Sequence, residues 1–202
     1  MNKPQIKVAT IDLYNNERNE GMRCIKEIVA DAGIKNSNID LKYDVFETRY
    51  KGDVPDLSYD IFISSGGPGS PFEDEKKQWD KDYFTLLDKI WNHNQTSEQK
   101  KYIFFICHSF QMMARFFQFG EVNQRFINSF GVMPFLKTDE GKNDTILKDL
   151  TNPFYAADIR HWQVVNPNQK KIDEFGAKIL SWEIPEEENK DNPAITSIRI
   201  SN

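Results

Sequence analysis

Cys107 stands in Tyr102-Ile-Phe-Phe-Ile-Cys-His-Ser-Phe-Gln111, where an apolar run gives way to a segment with helical spacing of its apolar residues. A thiol at a strand-to-helix turn gains three things from geometry. It projects at the carboxyl end of a sheet, where open α/β sheets bind ligands. It faces the positive end of a helix dipole, which favours thiolate. The next backbone N–H, that of His108, is aimed at a developing oxyanion. Those are the requirements of acyl transfer, although an arbitrary strand-end cysteine also serves as a small buried residue. A second stretch, Ser64-Ser-Gly-Gly-Pro-Gly-Ser-Pro71, follows another apolar strand. Gly66, Gly67 and Gly69 let the backbone approach a ligand with no Cβ in the way, and a glycine N–H there supplies a second oxyanion donor. A plain Gly/Pro turn has similar letters, whereas a phosphate cradle needs a different glycine spacing and a following Lys-Ser. Two such loops at one end of a sheet point to a site.

The elements that must carry these loops follow from periodicity. Ile6 to Tyr14 is β-branched and apolar enough for a buried strand. A helix follows, with Met22, Ile25, Ile28, Val29 and Ala32 on one face and Gly33 placed to close it. Leu41 to Thr48 and Asp60 to Ser64 are expected strands, and Gln78 to Trp91 an amphipathic helix. Tyr102 to Cys107 shows no alternation, which predicts a strand covered on both faces at the centre of a parallel sheet. From His108 the residues Met112, Ala114, Arg115, Phe116 and Phe119 suit a helix ending at Gly120. Beyond Phe130, Gly131 to Leu136, Tyr155 to Ile159, Ala177 to Trp182 and Ala194 to Ile200 are expected strands, partly antiparallel. The polar segment Glu186 to Pro193 should form a loop. The expectation is one α/β domain over residues 1–202.

Composition narrows the function. A chain of 202 residues, 39% hydrophobic, can bury a sizeable core. With 26 Lys and Arg against 31 Asp and Glu, the net charge is −5. The basic pairs Lys76-Lys77, Lys100-Lys101 and Lys170-Lys171 have acidic neighbours, so no nucleic-acid partner is expected. No run approaches the roughly 18 apolar residues of a membrane span, and no signal-type stretch follows Met1, which predicts no membrane association and a cytoplasmic protein. Cys24 and Cys107 are too few for a disulfide framework and lack metal-ligand spacing, so neither a metal nor a cofactor is expected. The many phenylalanines around residues 104–119 are read as core.

Taken together, the two loops resemble those of class I glutamine amidotransferases, the triad glutaminase domains of GMP synthetase, anthranilate synthase and carbamoyl phosphate synthetase. The resemblance implies a flavodoxin-like three-layer α/β sandwich with a central, mostly parallel sheet. Ser65-Gly-Gly-Pro-Gly-Ser-Pro71 looks like the family's oxyanion loop, with Gly67 the N–H donor and Gly66 and Gly69 lining the substrate. Ile106-Cys107-His108 and Gln111 match the nucleophile segment: Cys107 attacks the glutamine amide, His108 gives the other oxyanion N–H, and Gln111 helps hold the substrate. Arg160-His161-Trp162-Gln-Val-Val165 resembles the later segment beside the glutamine pocket, and Trp162 stands where the family often has Gly. The implied activity is release of ammonia from glutamine through a cysteine thioester, and the implied partner is a synthetase subunit that receives the ammonia.

The sequence departs from this pattern in two places. Phe105 and Ser109 stand where the family usually has Gly, two residues before and after the nucleophile. The family's base lies in a His-Pro-Glu segment following a strand near the carboxyl end. Here Asn192-Pro-Ala-Ile-Thr-Ser-Ile-Arg-Ile-Ser-Asn202 supplies the approach strand and no such segment, and the expectation is a chain truncated at its C-terminal end. His93, His108 and His161 are the histidines present. The Cys107-His108 pair also resembles the intracellular protease-like Cys-His hydrolases, which gives one alternative function. A catalytically inactive pseudoamidotransferase acting as a binding module is the other.

Overall fold

The computed structural model describes residues 3–184 and 192–201. The chain divides into two compact units, one up to Phe110 and one from Gln111 onward. Each is built on its own four-stranded sheet.

The first unit contains β1 (Gln5–Ile11), α1 (Glu20–Lys35), β2 (Asp40–Phe46), α2 (Thr48–Lys51), β3 (Ile61–Ser64), α3 (Gln78–Thr96) and β4 (Tyr102–Phe105). The strands are all parallel, in the order β2-β1-β3-β4. Alternation along them divides the apolar residues between two faces. Val8, Ile61 and Ile63 pack with Met22, Ile25 and Val29 of α1. On the opposite face of β3, Phe62 is fully buried and Ser64 shares a 2.9 Å hydrogen bond with the hydroxyl of Tyr83 from α3. This is a helix, sheet, helix arrangement, and both loops of interest leave the carboxyl ends of its strands.

Several boundaries differ from the sequence expectation, each for a physical reason. α1 runs through Gly33 to Lys35, because the Asn36 backbone N–H bonds the Ala32 carbonyl and closes the helix there. Ile28 lies 66% exposed instead of on the buried face. α3 continues five residues beyond Trp91, to Thr96. β4 is last in the sheet order rather than central, and Tyr102 and Phe104 are exposed on one of its faces. An unbroken apolar run therefore concealed an alternating strand.

α4 (His108–Phe117) begins in the first unit and continues into the second. It ends earlier than Gly120, because Gln118 takes the left-handed conformation (φ 58°) that closes a helix. Gly120 is needed for another reason: a Cβ there would lie 2.6 Å from the Val165 carbonyl oxygen. The remaining elements are β5 (Glu121–Lys137), α5 (Asp139–Asn143), β6 (Phe154–Val165), α6 (Gln169–Glu174), β7 (Ala177–Glu183) and β8 (Ile195–Ile200). The second sheet has the order β6-β5-β7-β8 and is antiparallel throughout, where only partial antiparallel pairing was expected. β5 begins ten residues before the expected strand and pairs along β6 on both sides of a bulge between Gln124 and Ser129. Most of the expected loop at Glu186 to Pro193 lies outside the described residues.

Two glycines test this packing with opposite signs. Any side chain at Gly141 collides with the backbone carbonyl of Leu180, whereas at Gly33 a Cβ meets only Leu41 Cβ, at 3.9 Å. Gly141→Ala is expected to destabilise by about 1–3 kcal/mol through overpacking. Gly33→Ala, in a helix, should stabilise by about 0.5–1 kcal/mol. Urea unfolding followed by circular dichroism reads both.

Candidate active site

Cys107 has a φ of 51°, in the left-handed region that residues with a Cβ seldom occupy. It links β4 to α4 with almost no intervening chain, and this conformation turns the backbone sharply enough to lift the thiol off the strand end. Such a strained strand-to-helix turn is how a nucleophile is presented above an α/β sheet. The thiol is partly exposed, and neither Cys107 nor Cys24 is in a disulfide. α4 begins at His108, directly after Cys107, so the positive end of its dipole lies next to that residue.

The turn is held by Ser109, one of the two departures from the resembled pattern. Its buried hydroxyl accepts the Ile106 N–H at 2.8 Å and approaches the carbonyls of Ser64 (2.7 Å) and Ile106 (3.2 Å). The Ser109 N–H also donates to the Ile106 carbonyl at 3.2 Å. One side chain therefore joins the Cys107 turn to the last residue of β3, where the glycine loop begins. Phe105, the other departure, is half-buried at the end of β4 and pairs in register with Ser64.

The glycine loop is fixed from beneath. Ser65 Oγ accepts the Leu13 N–H at 2.9 Å and lies 2.8 Å from the Gly66 carbonyl. At Gly67 a Cβ would stand 2.6 Å from the Leu13 carbonyl oxygen, so only glycine fits. Gly69, at φ 79°, sits in the left-handed region that favours glycine, with the Glu73 carboxylate beside it. Glu73 also accepts the Ser70 N–H at 3.1 Å.

Arg49, from α2, ties these parts together. Its guanidinium donates to the Pro68 carbonyl at 2.7 Å, to the Leu13 carbonyl at 3.4 Å, and to Asp74 at 3.0 Å, and it also pairs with Glu73. Its side chain is only 4% exposed, so the charge needs all of these partners. Burial alone would raise the Asp74 pKa, but Lys77 and Arg49 more than offset it and hold the carboxyl below its ordinary value. Composition gave no sign of Arg49, because its partners lie 19 to 36 positions away or are main-chain atoms.

Gln111, Arg160, His161 and Trp162 belong to the second unit. Gln111 is buried, and its side-chain amide donates to the Trp162 carbonyl at 3.0 Å. Trp162 is half-buried and His161 exposed on β6. Arg160 lies in a nearly buried charge cluster. It pairs with Asp158 (2.8 Å) and Glu183, while Arg125 pairs with Glu183 at 2.7 and 3.0 Å and with Gln163 at 2.9 Å. Asp158 also accepts the Ser129 hydroxyl at 2.6 Å. Burial pushes the Glu183 pKa up, and the two arginines more than reverse it. In the first unit, His93 lies in the last turn of α3 and makes a 2.8 Å contact with the Gln99 carbonyl. Among the described residues, no three His, Cys, Asp or Glu side chains are grouped to hold a metal ion. None of the described helices is long and apolar enough to cross a membrane.

No family model matches the chain, and no curated protein matches it. Solved structures do. A glutamine amidotransferase from Thermotoga maritima superposes with a TM-score of 0.65 at 17% identity, covering 89% of this chain and 67% of its own. A candidate GMP synthase subunit from Thermoplasma acidophilum gives 0.59 at 15%, covering 89% and 73%. A glutamine amidotransferase from Methylobacillus flagellatus gives 0.57 at 11%, covering 91% and 63%. The chain thus spans about two thirds of the length of these proteins. Together they show a class I glutamine amidotransferase-like fold.

Two measurements probe this site. Ser109→Ala removes the hydroxyl's bonds, while the Ile106 N–H keeps the Ser64 carbonyl (3.0 Å) and the Ile106 carbonyl keeps the Ser109 N–H, so it should destabilise by about 0.5–1.5 kcal/mol; thermal unfolding checks it. Because the Asp74 pKa is depressed on folding, its stabilising contribution is complete above the ordinary value of 3.8 and is lost as pH falls through the folded-state value. The loss of stability on acidification should therefore be shallower in Asp74→Asn than in the parent, as read by urea midpoints from pH 6 down to about pH 3.

Proposed function

We propose that this protein is a glutamine amidotransferase-type enzyme with Cys107 as its nucleophile. The left-handed Cys107, set between β4 and α4 beside a glycine loop whose backbone admits no side chain at Gly67, is the observation that carries the reading. The thiolate attacks the side-chain amide carbon of glutamine, and the carbonyl oxygen becomes an oxyanion. The N–H groups of Gly67 and His108 receive that charge, and each such donor contributes roughly a hundredfold or more in rate. Collapse breaks the C–N bond, the nitrogen takes a proton and leaves as ammonia, and a γ-glutamyl thioester remains. Water then cleaves the thioester to glutamate and restores the thiol. The sequence resemblance assigns glutamine contacts to Gly66, Gly69, Gln111, Arg160, His161 and Trp162, and this assignment rests on the motifs alone.

In water the ammonia would be protonated and dispersed, so the reading includes a synthetase subunit that takes it up. One of the similar solved proteins is named for a GMP synthase subunit. A cytoplasmic setting fits an enzyme that depends on a reduced thiol.

A glutamine-derived electrophile separates this reading from its competitors. Selective labelling of Cys107 that glutamine blocks supports it, together with loss of ammonia release in Cys107→Ala. Labelling indifferent to glutamine would instead favour a Cys-His hydrolase using His108. An unreactive Cys107 would leave a binding module.

A further inference from the structure

Tyr14 belongs to no motif, yet the fold makes room for its hydroxyl at two separate places. A Cβ on Gly66 would lie 2.8 Å from Tyr14 Oη, and a Cβ on Gly21, in the first turn of α1, would lie 2.5 Å from it. The same Gly66 Cβ position is 3.7 Å from Cys107 Cβ. The phenol hydroxyl and the Cys107 Cβ therefore both border the space that a Gly66 side chain would fill. The absence of a side chain at Gly66 is what lets them approach.

The ring is not loosely placed. It packs with Ile106, the residue before the nucleophile, around the core of Val8, Met22, Ile25 and Val29. Its backbone N–H donates to Asp12 Oδ1 at 2.8 Å, its carbonyl accepts the Glu17 N–H at 2.9 Å, and the preceding residue is fastened to Ser65. Partial burial raises the phenol's pKa, and negative charge on Cys107, Asp12 and Cys24 raises it further. Asp12 is itself flanked by Glu47 and Lys26. Tyr14 thus keeps its proton throughout the neutral range, as a donor whose electrostatic neighbour is the Cys107 sulfur.

We propose that the Tyr14 hydroxyl donates a hydrogen bond to the Cys107 thiolate, favouring its formation and aiming it at the substrate carbon. The proposal rests on Cys107 being the nucleophile. It assigns no proton abstraction to Tyr14: the thiol proton goes to solvent or to a separate base, and the phenol stays protonated. A hydrogen bond to a charged acceptor is among the stronger ones, and it favours the charged form.

The test is the pH dependence of Cys107 alkylation by iodoacetamide, resolved by peptide mass spectrometry so that Cys24 is counted separately. In Tyr14→Phe, which keeps the ring, the Cys107 midpoint should rise by about one pH unit, giving about tenfold slower labelling at a pH below both midpoints. Gly66→Ala drives a Cβ into the phenol's position and should raise the midpoint similarly, with the double variant adding nothing. Gly66→Ala also stands in should Tyr14→Phe fail to fold. Superimposed profiles of the parent and either folded variant would overturn the role of Tyr14. Ammonia release from glutamine is measured in parallel. A chain that releases none, yet shows the Tyr14-dependent shift, loses the glutaminase reading and keeps the thiolate donor.

Discussion

A residue with a Cβ held at positive φ costs about 1–3 kcal/mol and persists only where its surroundings over-determine it. Cys107 is such a residue, and the first unit is arranged around keeping it there. β4 delivers the chain to the turn and α4 removes it. Between them the Ser109 hydroxyl shares the Ile106 N–H with the Ser64 carbonyl and itself reaches across to β3. Glycine at position 109 would ease the turn sterically but could not make this link. The serine thus exchanges backbone freedom for a fixed relation between the Cys107 turn and the glycine loop.

The loop depends on a different kind of constraint. Glycines lower the steric barrier to a tight backbone approach, but they do not choose among the conformations they permit. Arg49 makes that choice. Its planar fork bonds the Pro68 carbonyl on one side and the Glu73 and Asp74 carboxylates on the other, so the loop and the chain just beyond it share one buried cation. A lysine could carry the charge but could not span these directions at once. Preorganisation of the loop is therefore electrostatic as well as steric.

The parts of the site that the sequence revealed are those encoded locally. An apolar run followed by helical spacing, and Gly-Gly-Pro-Gly after a strand, need no knowledge of distant residues, and both lie at strand ends as expected, although β4 is last in its sheet and not central. Tyr14 and Arg49 escaped notice because what makes them important lies elsewhere in the chain: Gly66 for one, and Pro68, Glu73 and Asp74 for the other. Ser109 was visible only as a departure, since its value lies in a bond to Ser64, 45 positions away. Helix ends misled for a related reason. Gly33 and Gly120 invite a stop, but Asn36 and Gln118 provide it, and Gly120 answers to a close approach by β6. Tyr102 and Phe104, which are exposed, also read as core, because hydrophobicity does not reveal which face of a strand is covered.

The cluster of Arg125, Arg160, Asp158 and Glu183 on the second sheet balances two cations against two anions with little water nearby. Neutralising any one of them strands an opposite charge, and reversing one places like charges together. Each single step is therefore unfavourable, while matched changes, or joint replacement by apolar residues of similar volume, are tolerated far better. Across homologous chains these four positions should consequently diverge in concert, leaving a trace of correlated substitution that runs between β5, β6 and β7.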